Sequence, residues 1–426
     1  MPPADAITAQ DTTSRTFRNE LLRSIPAGVL ETLGGTFGML VAVRVFEADK
    51  LAKSTFLSAT SGGLIASLFI VPLLLRLRST VTKIAAGVQF LAAVCLMGAA
   101  LVPQSELVFI AASSLGLFFF ALQVPLLTQI YRLNYPERNR GKLFALTATT
   151  RSLAAALFGF GGGWLLGWRL DSYAWLLWAF ALAAALSGCW TYGLPAMPWK
   201  MPEGARPKLL GSWHWVRADR DFRTLLISWM MMGIGNLVAW SLFVEFLANP
   251  RHGHSLPTAT VAWITGVVPV VFRVIFTYPW GLLFDRVNFF VVRAGLNVIF
   301  ALACLAYYCG GSLGWWIAGM ALFGIANAGG NVTWSLWVTK LAPKHAVAEY
   351  MSVHTFLTGV RGMLAPYLAF AMIDVMSFPA IGICCAAAIL SASGFITVRV
   401  RGNDPATSHR LVPGAAPPEK PRTERF

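Results

Sequence analysis

The chain is a series of long apolar segments separated by short polar ones. Each segment is long enough for a helix to cross a bilayer, which takes about 20 residues. The segments are continuously apolar and do not alternate with polar residues, so they predict helices and not the strands of a membrane barrel. The predicted spans are 26–46, 55–77, 81–103, 106–131, 143–168, 172–194, 224–247, 258–284, 289–310, 313–339, 347–374 and 376–398.

The composition supports a membrane protein. Hydrophobic residues make up 56% of the 426 residues and charged residues only 12%. Soluble proteins carry about 25% charged residues. A soluble chain of this length would therefore lack the polar side chains that cover a water-exposed surface.

The net charge of the chain follows its predicted topology. It has 34 Lys and Arg against 19 Asp and Glu, a formal charge of +15. In a soluble protein this excess would suggest binding to nucleic acid. Here the basic residues lie mostly in alternate polar segments, while the other set holds only Lys50, Lys53, Arg169 and Arg251. The positive-inside rule therefore predicts cytoplasmic termini, and no nucleic-acid partner is expected.

The longest polar stretch between spans, 195–223, divides the spans into two sets of six. We expect a cytoplasmic N-terminal segment, a six-helix bundle, a cytoplasmic linker, a second six-helix bundle and a disordered cytoplasmic tail. Their ranges are 1–24, 25–194, 195–223, 224–400 and 401–426. Two pairs of prolines repeat at a spacing of 207 residues, Pro72 with Pro279 and Pro136 with Pro343. Duplicated units of this kind are typical of secondary transporters, whose binding site lies between the halves.

The segment GLLFDRVNFFVVR, from Gly281 to Arg293, carries the most specific motif. It resembles the loop between the second and third helices of a half in the major facilitator superfamily, Gly-x-Leu-x-Asp-Arg followed by a basic residue. YPERNRGKLFA, residues 135–145, is similar to a second inner loop of that family. The resemblance implies an all-α integral membrane fold, with twelve transmembrane helices in two pseudo-symmetric six-helix halves.

The same resemblance assigns roles to particular residues. It implies a cytoplasmic gate at Gly281, Asp285, Arg286 and Arg293, whereas the first-half counterpart, 72–83, has no acidic residue. It also implies that helices one, four, seven and ten line a cavity, and that helices two, five, eight and eleven lie between the halves.

Ionisable residues inside the spans are the strongest functional candidates, because a charge at bilayer depth is costly unless it faces a partner or a cavity. The predicted intramembrane charge network is Glu31, Arg151, Arg273 and Arg361. Two interpretations stay open for the arginines. They either bond helix carbonyls and Glu31, or bind an anionic group of a solute. Glu31 is either a proton-coupling site or half of a permanent ion pair.

Polar and aromatic residues on the expected cavity helices complete the candidate site. The predicted substrate-binding and translocation residues are Glu31, Gln123, Asn236, Trp240, Arg273, Asn327, Asn331, Trp334 and Arg361. Together they predict a secondary transporter that moves a small organic solute by alternating access. The excess of arginine favours an anionic or polar metabolite, and a proton is the candidate coupling ion.

Other functions remain as alternatives. A glycine-rich fifth span, 159–167, and the cavity aromatics suit a multidrug exporter of the same fold. Two alternatives belong to other functional classes, a non-transporting membrane receptor and a membrane-embedded enzyme. The sequence shows no nucleophile with a base, no metal-ligand spacing and no phosphate-binding loop, so we expect no catalytic residue, metal or cofactor. We expect a monomeric, multi-pass protein of the plasma (inner) membrane, whose partners are the bilayer, the solute and the candidate proton.

Overall fold

The computed structural model describes residues 9–74, 79–196, 209–254, 256–342 and 347–400. These residues are almost entirely helical, and the described ranges contain no β-strand. The predicted disordered tail, 401–426, lies outside the described residues, as do 1–8 and the middle of the predicted linker, 197–208.

The first half consists of six long helical stretches, α1 to α6. Helix α1 runs through Ala9–Thr32, a π-helical turn at Leu33–Phe37 and Gly38–Arg44. Helix α4 has two parts, Glu106–Leu122 and Val124–Asn134. The others are α2 (Lys50–Leu74), α3 (Val81–Leu101), α5 (Glu137–Trp168) and α6 (Tyr173–Tyr192).

The second half has the same number of long stretches, α7 to α12. A linker helix, Leu209–Ala218, precedes α7. Helix α8 runs through Thr258–Ala262, a π-helical turn at Trp263–Val267 and Val268–Arg286. The others are α7 (Arg220–Ala248), α9 (Phe289–Cys309), α10 (Leu313–Leu341), α11 (Val347–Met372) and α12 (Phe378–Val400).

Several helices begin at residues that cap them. Thr80, Ser105, Asp219 and Asn288 are the N-caps of α3, α4, α7 and α9, and each accepts a hydrogen bond from a backbone N–H of the following turn. Such caps satisfy amides that have no partner within the helix. These polar residues therefore fix the entry points of long apolar helices.

The predicted all-α membrane fold is confirmed. Within the described residues, nine helices are long and apolar enough to cross a membrane. The three remaining long stretches, α2, α10 and α11, overlap the second, tenth and eleventh predicted spans.

Helix α1 begins at Ala9, well before the predicted span at 26. Two of the charged side chains in the extra turns, Glu20 and Arg23, are paired inside the bundle. Arg23 Nε donates to Glu20 Oε2 at 2.7 Å, and Tyr131 of α4 donates to Glu20 Oε1 at 2.5 Å. Part of the polar character of this stretch thus reflects an internal ion pair.

Loops of the two halves collect on two sides of the molecule. On one side, Thr13 Oγ1 lies 3.1 Å from the carbonyl of Asn134. On the other, Arg44 donates to the carbonyl of Leu256 at 3.0 Å, which links the halves. Both described ends of the chain, Ala9 and Val400, belong to the first side, since short loops make successive helices antiparallel. We call it the terminal side and the opposite one the far side.

The halves contact each other through α2 with α11 and through α5 with α8. Glycines on α5 permit the second contact. A Cβ atom at Gly163 would lie 3.0 Å from Ala262 Cβ, and one at Gly167 would lie 2.6 Å from Ala259 Cβ. Close helix approach thus accounts for these glycines, as small residues do in membrane interfaces generally.

Candidate substrate-binding site

A cavity of about 400 Å³ lies between the two halves. Residues of α1, α2, α4, α5, α7, α8, α10 and α11 line it. The polar lining consists of Glu31, Thr32, Thr36, Thr60, Ser61, Asn236, Ser241, Thr265, Arg273 and Asn327. Large apolar side chains fill much of the rest, namely Phe37, Phe120, Trp240, Met320 and Phe323. The cavity is therefore mainly apolar, with polar groups at a few points, as small-molecule sites generally are.

An ion cluster on the cavity wall joins the two halves. Arg273 of α8 donates to Glu31 Oε1 of α1 at 2.7 Å and to Ser152 Oγ of α5 at 3.2 Å. Arg151 of α5 places its Nε atom 3.5 Å from Glu31 Oε2. We call Glu31, Arg151 and Arg273 the cavity ion cluster. Both arginines therefore pair with Glu31 in this state, and the two interpretations of their role stay predictions.

The cavity ion cluster is only partly buried and carries excess positive charge. The side chains of Glu31, Arg273 and Arg151 are 32%, 21% and 40% exposed. One carboxylate faces two guanidinium groups, so the cluster has a formal charge of +1. Arg273 Nε has no hydrogen-bond partner. The cluster therefore keeps both charge and donor capacity for a further anionic group.

Five predicted site residues line the cavity: Glu31, Asn236, Trp240, Arg273 and Asn327. Asn236 Oδ1 is buried without a hydrogen-bond partner. The Asn327 side-chain amide instead donates to the carbonyl of Phe323, one turn earlier. Of the two asparagines, Asn236 therefore has the freer acceptor for a solute.

Other predicted site residues lie outside the cavity lining. Gln123 is buried within the first half and donates to Gln89 of α3. Asn331 is exposed on α10, and the Trp334 ring lies 6.1 Å from that of His354. Arg361 donates to the carbonyl of Trp229 inside the second half. Their assignment to the solute path stays a prediction.

Sequence reasoning missed the two π-helical turns, one in α1 and one in α8. These turns bring Thr36 and Thr265 into the cavity lining. They also approach one another, since a Cβ atom at Gly266 would lie 2.9 Å from Thr36 Oγ1. The sequence feature that could have indicated these turns is a glycine next to a threonine in the middle of an apolar span. Local π-helical turns often occur at functional sites.

Polar contacts join the two halves on the far side of the molecule. Lys53 Nζ of α2 lies 2.9 Å from Glu245 Oε2 of α7, and their side chains are 6% and 1% exposed. Asn249 donates to the other Glu245 oxygen at 2.7 Å. Lys50 forms a second, exposed ion pair with Asp374. Both lysines were expected in a connecting loop, but the structure places them in the first turn of α2.

On the terminal side, the described residues form no comparable contacts between the halves. Among the described residues, hydrogen bonds and ion pairs between the halves occur at the cavity or on the far side. Asp285 and Arg286 are exposed and form no ion pair in the described part of the chain, whereas Arg293 is fully buried in the second half. The gate assigned to Gly281, Asp285, Arg286 and Arg293 stays a prediction.

Two bundles of membrane helices with a cavity between them define the architecture of a transporter. The profile of the Major Facilitator Superfamily matches residues 19–366. The chain therefore belongs to the major facilitator superfamily, as its loop motifs indicated. No curated protein matches the chain in sequence.

Solved structures share this fold at low sequence identity. The nucleoside transporter NupG is 15% identical, with a TM-score of 0.68, over 91% of this chain and 99% of that chain. A POT family transporter in complex with a thioalcohol-conjugated peptide is 13% identical, with a TM-score of 0.68, over 92% and 96%. A D-xylose-proton symporter is 15% identical, with a TM-score of 0.61, over 90% and 96%. These neighbours support the fold and leave the solute open.

Proposed function

We propose that the chain is a secondary active transporter for a small organic anion or polar metabolite. The observation that carries this proposal is the cavity ion cluster, in which Arg273 of one half binds Glu31 of the other at 2.7 Å. It lies on the wall of the cavity between the halves. A solute bound there touches both halves at once, which alternating access requires.

Charge favours an anionic solute. Arg151 and Arg273 share one carboxylate, that of Glu31. A guanidinium group holds a carboxylate with two parallel hydrogen bonds, and its interaction strengthens where water is scarce. A carboxylate on the solute would therefore compensate the remaining positive charge of the cluster.

The same geometry links the solute to the motion of the halves. A solute carboxylate bound to Arg273 competes with Glu31, whose bond to Arg273 joins α1 to α8. A ligand shifts a conformational equilibrium only through different contacts in the two states. Exchange of Glu31 for the solute provides such a difference. The released Glu31 carboxylate can then accept a proton, which supports proton coupling.

The membrane orientation of the protein is part of the proposal. The predicted basic segments connect the helices on the terminal side, and the positive-inside rule assigns that side to the cytoplasm. The structure then corresponds to a state closed towards the outside, because Lys53 and Glu245 bind each other on the far side. A monomer in the plasma (inner) membrane, with no cofactor, remains our expectation.

A second candidate is transport of amphipathic compounds. The cavity aromatics Phe37, Phe120, Trp240 and Phe323 favour it, since such rings offer large contact areas to uncharged rings of a ligand. The positive charge of the cavity ion cluster would repel an amphipathic cation, so this candidate applies to neutral compounds. The two candidates therefore differ in how they depend on Arg273.

Transport by purified protein in liposomes tests the proposal. Organic anions, nucleosides, sugars and amphipathic dyes are first screened by thermal shift, and stabilising compounds are then measured for flux at two pH values. Arg273→Ala should abolish flux of an anion and leave a neutral amphipathic compound largely unaffected. Arg169→Ala is the matched control, because Arg169 is 72% exposed and does not line the cavity.

The outcomes separate the alternatives. Unchanged anion flux in Arg273→Ala would contradict the proposed site. Loss of dye flux together with retained anion flux would favour the amphipathic cargo. Specific binding without flux of any bound compound would favour a receptor.

A further inference from the structure

Three basic side chains converge on Trp229 inside the second half. The Arg293 guanidinium carbon lies 3.6 Å from the centroid of the Trp229 ring. The His354 ring lies 4.9 Å from the same ring, and Arg361 donates to the Trp229 carbonyl. Helices α9 and α11 supply these side chains and α7 supplies Trp229. We call Arg293, His354 and Arg361 the arginine–histidine cluster.

The arginine–histidine cluster is buried and its donors are unsatisfied. Arg293, His354 and Arg361 are 0%, 1% and 8% exposed. All three side-chain nitrogens of Arg293, both ring nitrogens of His354 and Nε of Arg361 lack hydrogen-bond partners. No acidic side chain among the described residues pairs with any of them.

Such an arrangement requires a negative partner. A buried charge destabilises a protein unless an opposite charge and hydrogen bonds compensate it. The Trp229 ring compensates one face of Arg293 by a cation–π contact, but it leaves the N–H groups unsatisfied. A water molecule would satisfy donors without balancing two guanidinium charges. We infer that the arginine–histidine cluster binds a small inorganic anion.

The surroundings limit the size of the anion. The unpartnered nitrogens of the cluster are inaccessible to solvent, and none of the three residues lines the central cavity. Further buried groups without partners lie beside them, Trp229 Nε1 and Thr358 Oγ1. These groups are donors, as an anion needs. We therefore expect a monovalent inorganic ion such as chloride at the cluster, and not an organic metabolite.

A second buried arginine provides a matched comparison. Arg23 of α1 is 4% exposed, yet both its Nε and an NH2 atom donate to Glu20 at 2.7 and 2.5 Å. It also donates to Tyr131 at 3.2 Å. Arg23 therefore has within the protein the partner that the arginine–histidine cluster lacks.

Direct binding of radioactive chloride to purified wild-type protein tests the inference. We expect saturable binding that nitrate or bromide displaces and gluconate does not. Chloride at 100 times its Kd raises the folding constant about 100-fold, so the thermal midpoint should rise by about 3 °C or more relative to gluconate. The assay uses no solute and no flux, so its result is independent of the proposed transport.

Two variants test whether the bound chloride lies at the arginine–histidine cluster. Arg293→Met should lose chloride binding and, in gluconate, be at least as stable as wild type, because it removes an uncompensated charge. Arg23→Met should be less stable in both salts and keep the chloride-induced rise. The inference is overturned if wild type binds no chloride saturably, or if Arg293→Met binds it as wild type does. A lower midpoint of Arg293→Met in gluconate would also overturn it, since Arg293 would then be a structural residue.

Discussion

The molecule contains two groups of intramembrane charges that differ in partner, exposure and position. The cavity ion cluster, Glu31 with Arg151 and Arg273, is paired, 21–40% exposed and shared between the halves. The arginine–histidine cluster lies within one half, is at most 8% exposed and has no carboxylate partner in the described part of the chain. This difference in position matters for transport, because only a charge that lies between the halves can change its partner when the halves move.

Burial of an ion pair determines how much its loss costs. Exposed pairs contribute little because water screens them, whereas breaking a buried pair leaves an uncompensated charge. Substitutions of buried, paired charges should therefore have the largest effects, and substitutions of partly exposed single groups the smallest.

The largest effect is expected at the buried far-side pair. Lys53→Met removes the lysine from Glu245, which is 1% exposed and keeps only His252 nearby, and should weaken the contact between the halves by up to about 3–5 kcal/mol. Spectroscopic distances between labels on the far-side ends of the halves should lengthen. Lys50→Met is the matched control, because Lys50 and Asp374 are 47% and 56% exposed. Equal effects of the two variants would show that burial does not determine closure.

Removal of the cavity carboxylate should have the next largest effect. Glu31→Gln leaves Arg151 and Arg273 without a counter-charge and removes the group that Arg273 exchanges with the solute. We expect at least about tenfold lower flux and a lower thermal midpoint, measured in liposomes and in detergent. The double variant Glu31→Gln with Arg273→Gln should recover the midpoint without recovering flux, a non-additive result. Additive losses would mean that the two groups act separately.

The aromatic lining should contribute less than the charges. Trp240→Ala removes a ring from the cavity wall and should weaken solute binding about tenfold or less. Trp334→Ala removes a tryptophan that lies outside the lining, near His354, and should leave binding unchanged. Titration calorimetry of a solute found in the thermal-shift screen would compare them. A larger effect of Trp334→Ala would mean that the solute occupies a different space.

The smallest effect is expected at a histidine on the far side, His254. Burial near Phe246 and Trp316, together with repulsion from His252, lowers the pKa of His254 from its ordinary value of 6.5. The unfolded chain then binds more protons than the folded one, so stability falls as the pH decreases through 6.5 towards the lowered pKa. His254→Gln should flatten this part of the midpoint-against-pH curve. An unchanged slope would assign it to other groups.

The sequence predicted the elements more completely than the site. Continuous apolar runs located the helices, and the low number of acidic residues in the spans made Glu31 a candidate site residue, which stays a prediction. The direction in which an individual side chain points, towards the cavity or into one half, could not be predicted in the same way. The side chain of Arg361 points into the second half because Gly233 has no side chain in its way. A Cβ atom at Gly233 would lie 1.9 Å from Arg361 NH1. That space depends on the packing of α7 against α11.

The central claim is that Arg273 exchanges Glu31 for an anionic group of the solute. Equilibrium binding of an anion identified by the thermal-shift screen, measured by calorimetry on wild type, Glu31→Gln and Arg273→Gln, tests it most directly. The account predicts that Glu31→Gln binds the anion at least as tightly as wild type, because the competing carboxylate is gone. Arg273→Gln should bind it at least about tenfold more weakly. Wild-type affinity in Arg273→Gln would contradict the account.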